Sequence, residues 1–253
     1  MTATVSPAGA AYRGDAVQLD LPVLEAGASA RVYTPDGTEA ALVLLSGDVE
    51  LDGERACRAD VFDARATAVY LPPGTAVEVH ARMRAELALA ASVGGELHAP
   101  AGAAPRIVRP DDVTVHPRGR PGWQRDVHDI VDDAVPAQRL LVGETFNAAG
   151  QWSSFPPHKH DGGNGEPALE EVYHYRFDPR DGFGFQGLYG DGADQAVLLR
   201  HGATVGIPRG YHPVCAAPGY RLYYLWALAP RANTARALAL FEDPAHRWLH
   251  ELR

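Results

Sequence analysis

Residues 152–177 read WSSFPPHKHDGGNGEPALEEVYHYRF. His158 and His160 flank Lys159, and a pair of glutamates, Glu170 and Glu171, follows ten residues on. In an extended segment, positions two apart face the same side. His158 and His160 therefore point at one object while Lys159 points away. Two converging imidazoles, with a carboxylate on a nearby strand, are the beginning of a divalent-metal site.

The run 169–177 decides which carboxylate belongs. With period two, Glu171, Tyr173, Tyr175 and Phe177 share one face, and Glu170, Val172, His174 and Arg176 share the other. The aromatic face reads as interior, which places Glu171 inward at the end of an apolar row, where a carboxylate needs a partner. The opposite face reads as the wetter one. Glu171 is the expected ligand in preference to Glu170.

Further along, residues 202–212 read GATVGIPRGYH. A Gly turn, a short apolar strand and a Pro-x-Gly turn precede His212, and turns of this kind re-aim the chain so that the histidine projects back across a small barrel. Three histidines and a glutamate leave positions open on a five- or six-coordinate ion, which suits catalysis better than a closed structural site. The competing reading is surface histidines beside a proline-rich loop. H-x-H, an inward Glu and P-x-G-x-H, in that order within about 55 residues, favour the metal.

The rest of the chain is turn-rich. Its 253 residues suffice for one large or two small domains, and 26 Gly and 20 Pro favour many short strands over long helices. A net charge of −9 with no basic run argues against nucleic acid or an anionic membrane as partner. Two cysteines, Cys57 and Cys215, exclude a disulfide framework. The first fifteen residues lack a signal-peptide pattern and no apolar run reaches membrane-spanning length, so a soluble cytoplasmic protein is expected.

Strands are expected at 16–21 and 30–33, followed by hairpin chemistry over 40–54 and a strand, Pro-x-Gly turn and strand over 68–79. No amphipathic helix is evident in the first hundred residues, which argues for a β-barrel or sandwich. Leu71-Pro-Pro-Gly-Thr-Ala-Val aligns with Ile207-Pro-Arg-Gly-Tyr-His-Pro-Val, and the strand before the Ser46-Gly47-Asp48 turn aligns with 171–177. A shared offset of about 135 residues marks a tandem duplication. Ala76 stands where His212 stands, and no H-x-H precedes the first hairpin, so only the second copy is expected to carry metal. The expected division is residues 1–115 and 116–253. The intervening arginine-rich segment around Arg118, Trp123 and His128 reads equally as a solvated linker. The tail 236–250 reads as a short helix anchored by Trp248, packed on the barrel and without chemistry.

The duplicated unit resembles a cupin, although here one residue, Tyr211, separates the Pro-x-Gly glycine from the histidine where the common motif has two. The strings GQWSSFPPHKHD, LEEVYHYRFDPRDGFGFQ and VGIPRGYHPVCAAPGYRLYYLWALA resemble the 5-deoxy-glucuronate isomerases of myo-inositol catabolism, bicupins related to 5-keto-4-deoxyuronate isomerases. The resemblance is strong over 115–245 and weaker before. It implies an all-β fold of two tandem antiparallel jelly-roll-like barrels, a homo-oligomer, and an aldose–ketose isomerisation of 5-deoxy-D-glucuronate to 2-deoxy-5-keto-D-gluconate through a metal-stabilised enediolate.

That chemistry needs a divalent ion as Lewis acid, held by His158, His160, Glu171 and His212. Zn²⁺ is the first expectation; Mn²⁺, Fe²⁺ and Ni²⁺ also accept these ligand types. A base must move the proton between carbons, and Tyr173, Tyr175 or a metal-bound hydroxide are the candidates. The anionic sugar-acid substrate needs a cation, preferably a planar fork; Arg125 and Arg209 are the candidates, each with an alternative as a surface arginine. Gln186 is a candidate for a sugar hydroxyl, or else a structural residue. Cys215 is set aside as a buried free thiol. Two other readings stay open: an Fe-dependent cupin dioxygenase, and a non-catalytic bicupin that binds sugar acids.

Overall fold

The strand Leu169–Asp178 is buried at its first nine positions, so it is covered on both faces. In the computed structural model, which describes residues 3–5, 10–95, 97–99, 101–190, 192–231 and 234–251, this strand is the centre of the second half. It pairs antiparallel with Arg221–Pro230 along its whole length and with Thr204–Ile207 at its other edge. Arg221–Pro230 continues the sheet to Leu141–Asn147, Arg125–Val131 and Thr114–Arg118. A four-stranded sheet of Trp152–Ser153, Val214–Ala216, Phe183–Gly190 and Ala193–Arg200 packs against it through Tyr175, Phe177, Leu199, Val214 and Leu222.

In the first half, the long strand Ala40–Leu51 pairs with Ala68–Leu71, Ala76–Ala81 and Ala85–Ser92. Among the described residues, strands up to Arg106–Val108 pair only with one another, and strands from Thr114–Arg118 onward do the same. The two halves share a strand plan. Ala40 lies opposite both Leu71 and Ala91, and Glu171 lies opposite both Ile207 and Leu228. Ala40 thus occupies the first half's counterpart of the Glu171 position.

Three expectations require correction. Neither half closes into a barrel by strand pairing among the described residues. The six-stranded sheet ends at Thr114–Arg118 and Thr204–Ile207, and the four-stranded one at Trp152–Ser153 and Ala193–Arg200; side-chain packing joins the two sheets in place of a continuous ladder. The face of Glu170, His174 and Arg176 is not wet, since these residues are only 2%, 4% and 5% exposed. Val172, Leu225 and Ala227 on that face share one core with Val17, Leu19, Ala88 and Ala90 of the first half. Finally, 237–241 is not helical. Phe241–Glu242 is a short strand paired with His158–Lys159, a 3₁₀ helix begins only at Pro244, and Trp248 is exposed while Leu249 is buried. Arg236 sets this extended path by donating to the carbonyls of Leu140 and Asp132.

The arginine-rich segment is no linker, because it supplies two strands of the sheet. The junction between halves is also polar at its centre. Arg58 and Glu144, 1% and 0% exposed, pair at 2.7 Å, and Arg176 meets Glu86 at 2.8 Å. Breaking such a buried pair from one side costs about 3–5 kcal/mol. Gly206 has no room for a Cβ because the Tyr12 ring from the first half lies against it. No described helix is long and apolar enough to cross a membrane.

Candidate metal centre

The alternation along Leu169–Asp178 sends Glu171 toward the hairpin segment that carries His160. Glu171 Oε2 lies 3.0 Å from His160 Nε2 and 3.4 Å from His212 Nε2. Donor atoms of these three buried residues lie within 4.8 Å of one another. The His158 ring stands edge-on to that of His212 at 4.8 Å between centroids, and it lines the same cavity. Glu170 points the other way, into the junction between halves.

Backbone carbonyls orient two of the rings. His212 Nδ1 lies 3.0 Å from the Gly210 carbonyl and His160 Nδ1 lies 3.2 Å from that of Leu169. Nδ1–H donation to these carbonyls leaves each Nε2 as the atom turned to Glu171. Burial, with the charges of neighbouring His160 and Arg125, lowers the pKa of His158 to about 3; burial and His158 lower His212 likewise to about 3. Both are therefore neutral, the form that ligates metal. His160 is the exception. Burial pulls it down, but the hydrogen bond and charge of Glu171 outweigh burial and hold it above its ordinary value. The proton that Glu171 draws onto His160 sits where a cation would, so an ion binding there would release it.

His212 Nε2 is fully buried and has no hydrogen-bond partner, which is costly for a polar atom unless something meets it. His160, Glu171 and His212 gather their donor atoms here, with the His158 ring beside them, and imidazole and carboxylate donors suit a first-row divalent ion.

The site opens into a cavity of about 460 Å³ lined on one side by the six-stranded sheet. Arg125, Tyr173 and, from the single strand Arg221–Pro230, Tyr224, Trp226 and Leu228 project into it. Gly143 has no room for a Cβ because the Trp226 ring lies over it. Tyr173 bonds Ser154 Oγ at 3.2 Å. Burial and the charge of Glu171 hold its pKa well above the ordinary phenol range, so Tyr173 stays protonated. Arg125 donates from Nη1 to the carbonyls of Trp123 and Phe155.

Three sequence candidates are elsewhere. Tyr175 and Gln186, both 0% exposed, do not line the cavity. The Tyr175 hydroxyl donates to Gln186 Oε1, and Gln186 Nε2 donates to the His212 carbonyl at 2.5 Å and to that of Pro213 at 3.2 Å. Gln186 therefore holds the backbone of His212 and cannot meet a sugar. Arg209 is exposed and lines a separate surface cavity with Lys159, Asp161 and Arg231, because the Pro208-Arg209-Gly210 turn aims His212 inward and Arg209 outward.

Other residues at the cavity escaped the sequence reading. Arg118 and the His116–Asp129 pair line it from the sheet edge. Leu238, Leu240 and Glu242 line it from the tail. For the edge strand a signal existed, since Arg118, His116, Arg125 and Asp129 alternate on period two. The tail offered none, because its path depends on contacts remote in sequence.

Known proteins resemble the chain along its length. Residues 1–249 match the KduI/IolB family. The 5-deoxy-glucuronate isomerase of Geobacillus kaustophilus (strain HTA426) is 38% identical over 246 residues, 93% of this chain and 86% of that protein. That of Bacillus subtilis (strain 168) is 34% identical over 251 residues, covering 94% and 89%. The crystal structure of an IolB-like protein from Salmonella typhimurium LT2 superimposes with a TM-score of 0.81 at 34% identity, covering 93% and 90%. Oxalate decarboxylase from Lactobacillus farciminis gives 0.64 at 12% identity, covering 95% and 82%, a likeness of cupin-like fold alone. The chain belongs to the KduI/IolB family, and it is an isomerase.

Proposed function

We propose that this protein is a metal-dependent aldose–ketose isomerase that converts 5-deoxy-D-glucuronate to 2-deoxy-5-keto-D-gluconate, with His158, His160, Glu171 and His212 holding one divalent ion. The second half, from about residue 116, is its metal-bearing copy. The observation that carries the reading is His212 Nε2, buried and unpartnered beside Glu171. The names of the relatives supply the substrate. They favour isomerisation over oxygen chemistry on the same ligand set.

The reaction moves a proton from C2 to C1 of an aldose. When bound, the ion would supply positive charge against the negative charge that develops on the two carbonyl-end oxygens. Arg125 is the cation available to the substrate carboxylate. Tyr173, held protonated and oriented by Ser154, donates a hydrogen bond to a substrate oxygen and is not the base. Glu242 is the carboxylate placed to take the carbon-bound proton. It lies directly across from His158 on the paired strand, lines the cavity, and is bonded to His250 Nε2 at 2.8 Å. Trp226, Leu228, Leu238 and Leu240 provide apolar walls that limit water.

The test is conversion of 5-deoxy-D-glucuronate followed by NMR in deuterated water without oxygen. Ketose should form, carry solvent deuterium on the carbon that was the aldehyde of the substrate, disappear with a chelator and return with a divalent ion. Turnover that persists after complete metal removal, or that requires oxygen, would contradict the reading.

A further inference from the structure

Arg118 and Arg125 are directly opposite residues on adjacent antiparallel strands. Both line the cavity that contains His158, His160 and Glu171. Like charges in that arrangement repel, and a partly buried cation without a counter-ion is unfavourable. Arg125 is half-buried, and its hydrogen-bond partners are neutral carbonyls, while Arg118 beside it is exposed at the cavity rim. Neither arginine forms a direct ion pair with a described carboxylate. Asp129, the acid on the same face of these two strands, pairs with His116 at 3.1 Å, and the charge of Arg118 acts on it without a direct pair. The fold thus maintains two adjacent guanidiniums whose charge an incoming anion would answer.

Their place in the sheet gives the anion a direction. Two strands, Arg221–Pro230 and Leu141–Asn147, separate the strand of Glu171 from that of Arg125. Three steps of about 4.8 Å, about 14 Å in all, separate the strand of Arg125 from that of Glu171, and the strand of Arg118 lies one step further out. The Arg125 side chain reaches back from that strand to the Phe155 carbonyl, and its charge acts on His158, so charge recognition and carbonyl chemistry share one cavity.

We propose that Arg118 and Arg125 together clamp the carboxylate of the substrate, and that this two-arginine site selects aldehyde-bearing acids, with the two groups at opposite ends of the chain, over neutral sugars. The proposal rests on the isomerase reading above and names its specificity element. Two planar forks grip one carboxylate with several charge-assisted hydrogen bonds.

The test uses the metal-loaded full chain with 5-deoxy-D-glucuronate and with the neutral sugar bearing a primary alcohol in place of the carboxylate. Wild type should prefer the acid in kcat/KM. Arg118→Gln should reduce that preference about 10- to 100-fold, mainly through KM, as expected for loss of a hydrogen-bonded charge. Arg118→Lys should keep part of it, since the charge remains and the fork is lost. Calorimetry with D-gluconate, which has no aldehyde to react, should show a parallel weakening, with metal content unchanged in both variants. An Arg118→Gln protein with full metal, wild-type preference and wild-type gluconate affinity overturns the clamp. Equal turnover of acid and alcohol by wild type also removes it while leaving the isomerase reading intact. If wild type turns over neither sugar but binds gluconate through Arg118, the clamp stands and the assigned substrate falls.

Discussion

Glu39 and Glu170 occupy equivalent places in the two halves, each one residue before the doubly paired positions Ala40 and Glu171, and each reaches into the opposite half. Glu39 accepts the backbone N–H groups of Gln138, Arg139 and Leu140 at 2.9, 2.6 and 2.6 Å, and the Tyr70 hydroxyl at 2.7 Å. Glu170 accepts those of Ala16 and Val17 at 2.5 and 3.3 Å, and the Tyr12 hydroxyl at 2.9 Å. Both carboxylates are buried. Each half thus supplies one carboxylate that satisfies the other half's backbone donors. The next position is Glu171 in one half and Ala40 in the other.

Because both carboxylates answer buried backbone donors, Glu39→Ala and Glu170→Ala should each destabilise the protein by about 2–4 kcal/mol, the cost of unsatisfied buried groups and lost charged hydrogen bonds. Chemical denaturation of each variant measures this. Within ±0.5 kcal/mol of wild type, the clasp would have no energetic role.

Gln186 holds the backbone of His212, a residue of the candidate metal centre. Gln186→Leu should retain the fold yet weaken metal affinity about 10- to 100-fold, the usual effect of removing a group that orients a ligand. Competition with a chelator of known affinity reads the change. Unaltered affinity would show that the turn alone aims His212.

Glu242 should matter to turnover and not to metal. Glu242→Gln is expected to lower kcat about 10²- to 10⁴-fold, the range for a general base, with full metal content and normal gluconate binding. The solvent-deuterium incorporation rate should fall in step. A variant with kcat near wild type would remove Glu242 from the proton path.

His174 sits at the junction, with burial and then the charges of Arg176 and His201 lowering its pKa to about 3. The folded form keeps this ring neutral while the unfolded chain protonates it at its ordinary value, so acid favours unfolding. Its contribution is present above about pH 6.5 and is lost as pH falls toward 3. Within that window, His174→Gln should reduce the slope of stability against pH by about 1.4 kcal/mol per pH unit, the effect of one proton. An unchanged slope would mean that the ring is not neutral in the fold.

What the sequence shows most clearly is what period two controls. The alternation along 169–177 separates Glu171 from Glu170, and the H-x-H spacing aims two imidazoles together, both being local geometry. The same alternation misjudges the Glu170 face, because it cannot tell a solvated face from one covered by another half of the chain. Gln186 and Tyr175 read as site residues because inward-facing polar groups in a strand look alike, whether they meet a ligand or a backbone carbonyl. Arg209 and His212 are three residues apart in one turn, and only its three-dimensional course sends them to different cavities. The tail reaches the site because Phe241–Glu242 pairs with His158–Lys159, a contact between segments some eighty residues apart in the chain.

The most direct test of the central claim is element-specific anomalous diffraction from crystals of the metal-loaded protein. The account predicts one peak per chain, within bonding distance of His158, His160, Glu171 and His212, and its loss in Glu171→Ala. A peak that excludes Glu171, or that persists undiminished in the variant, would contradict it.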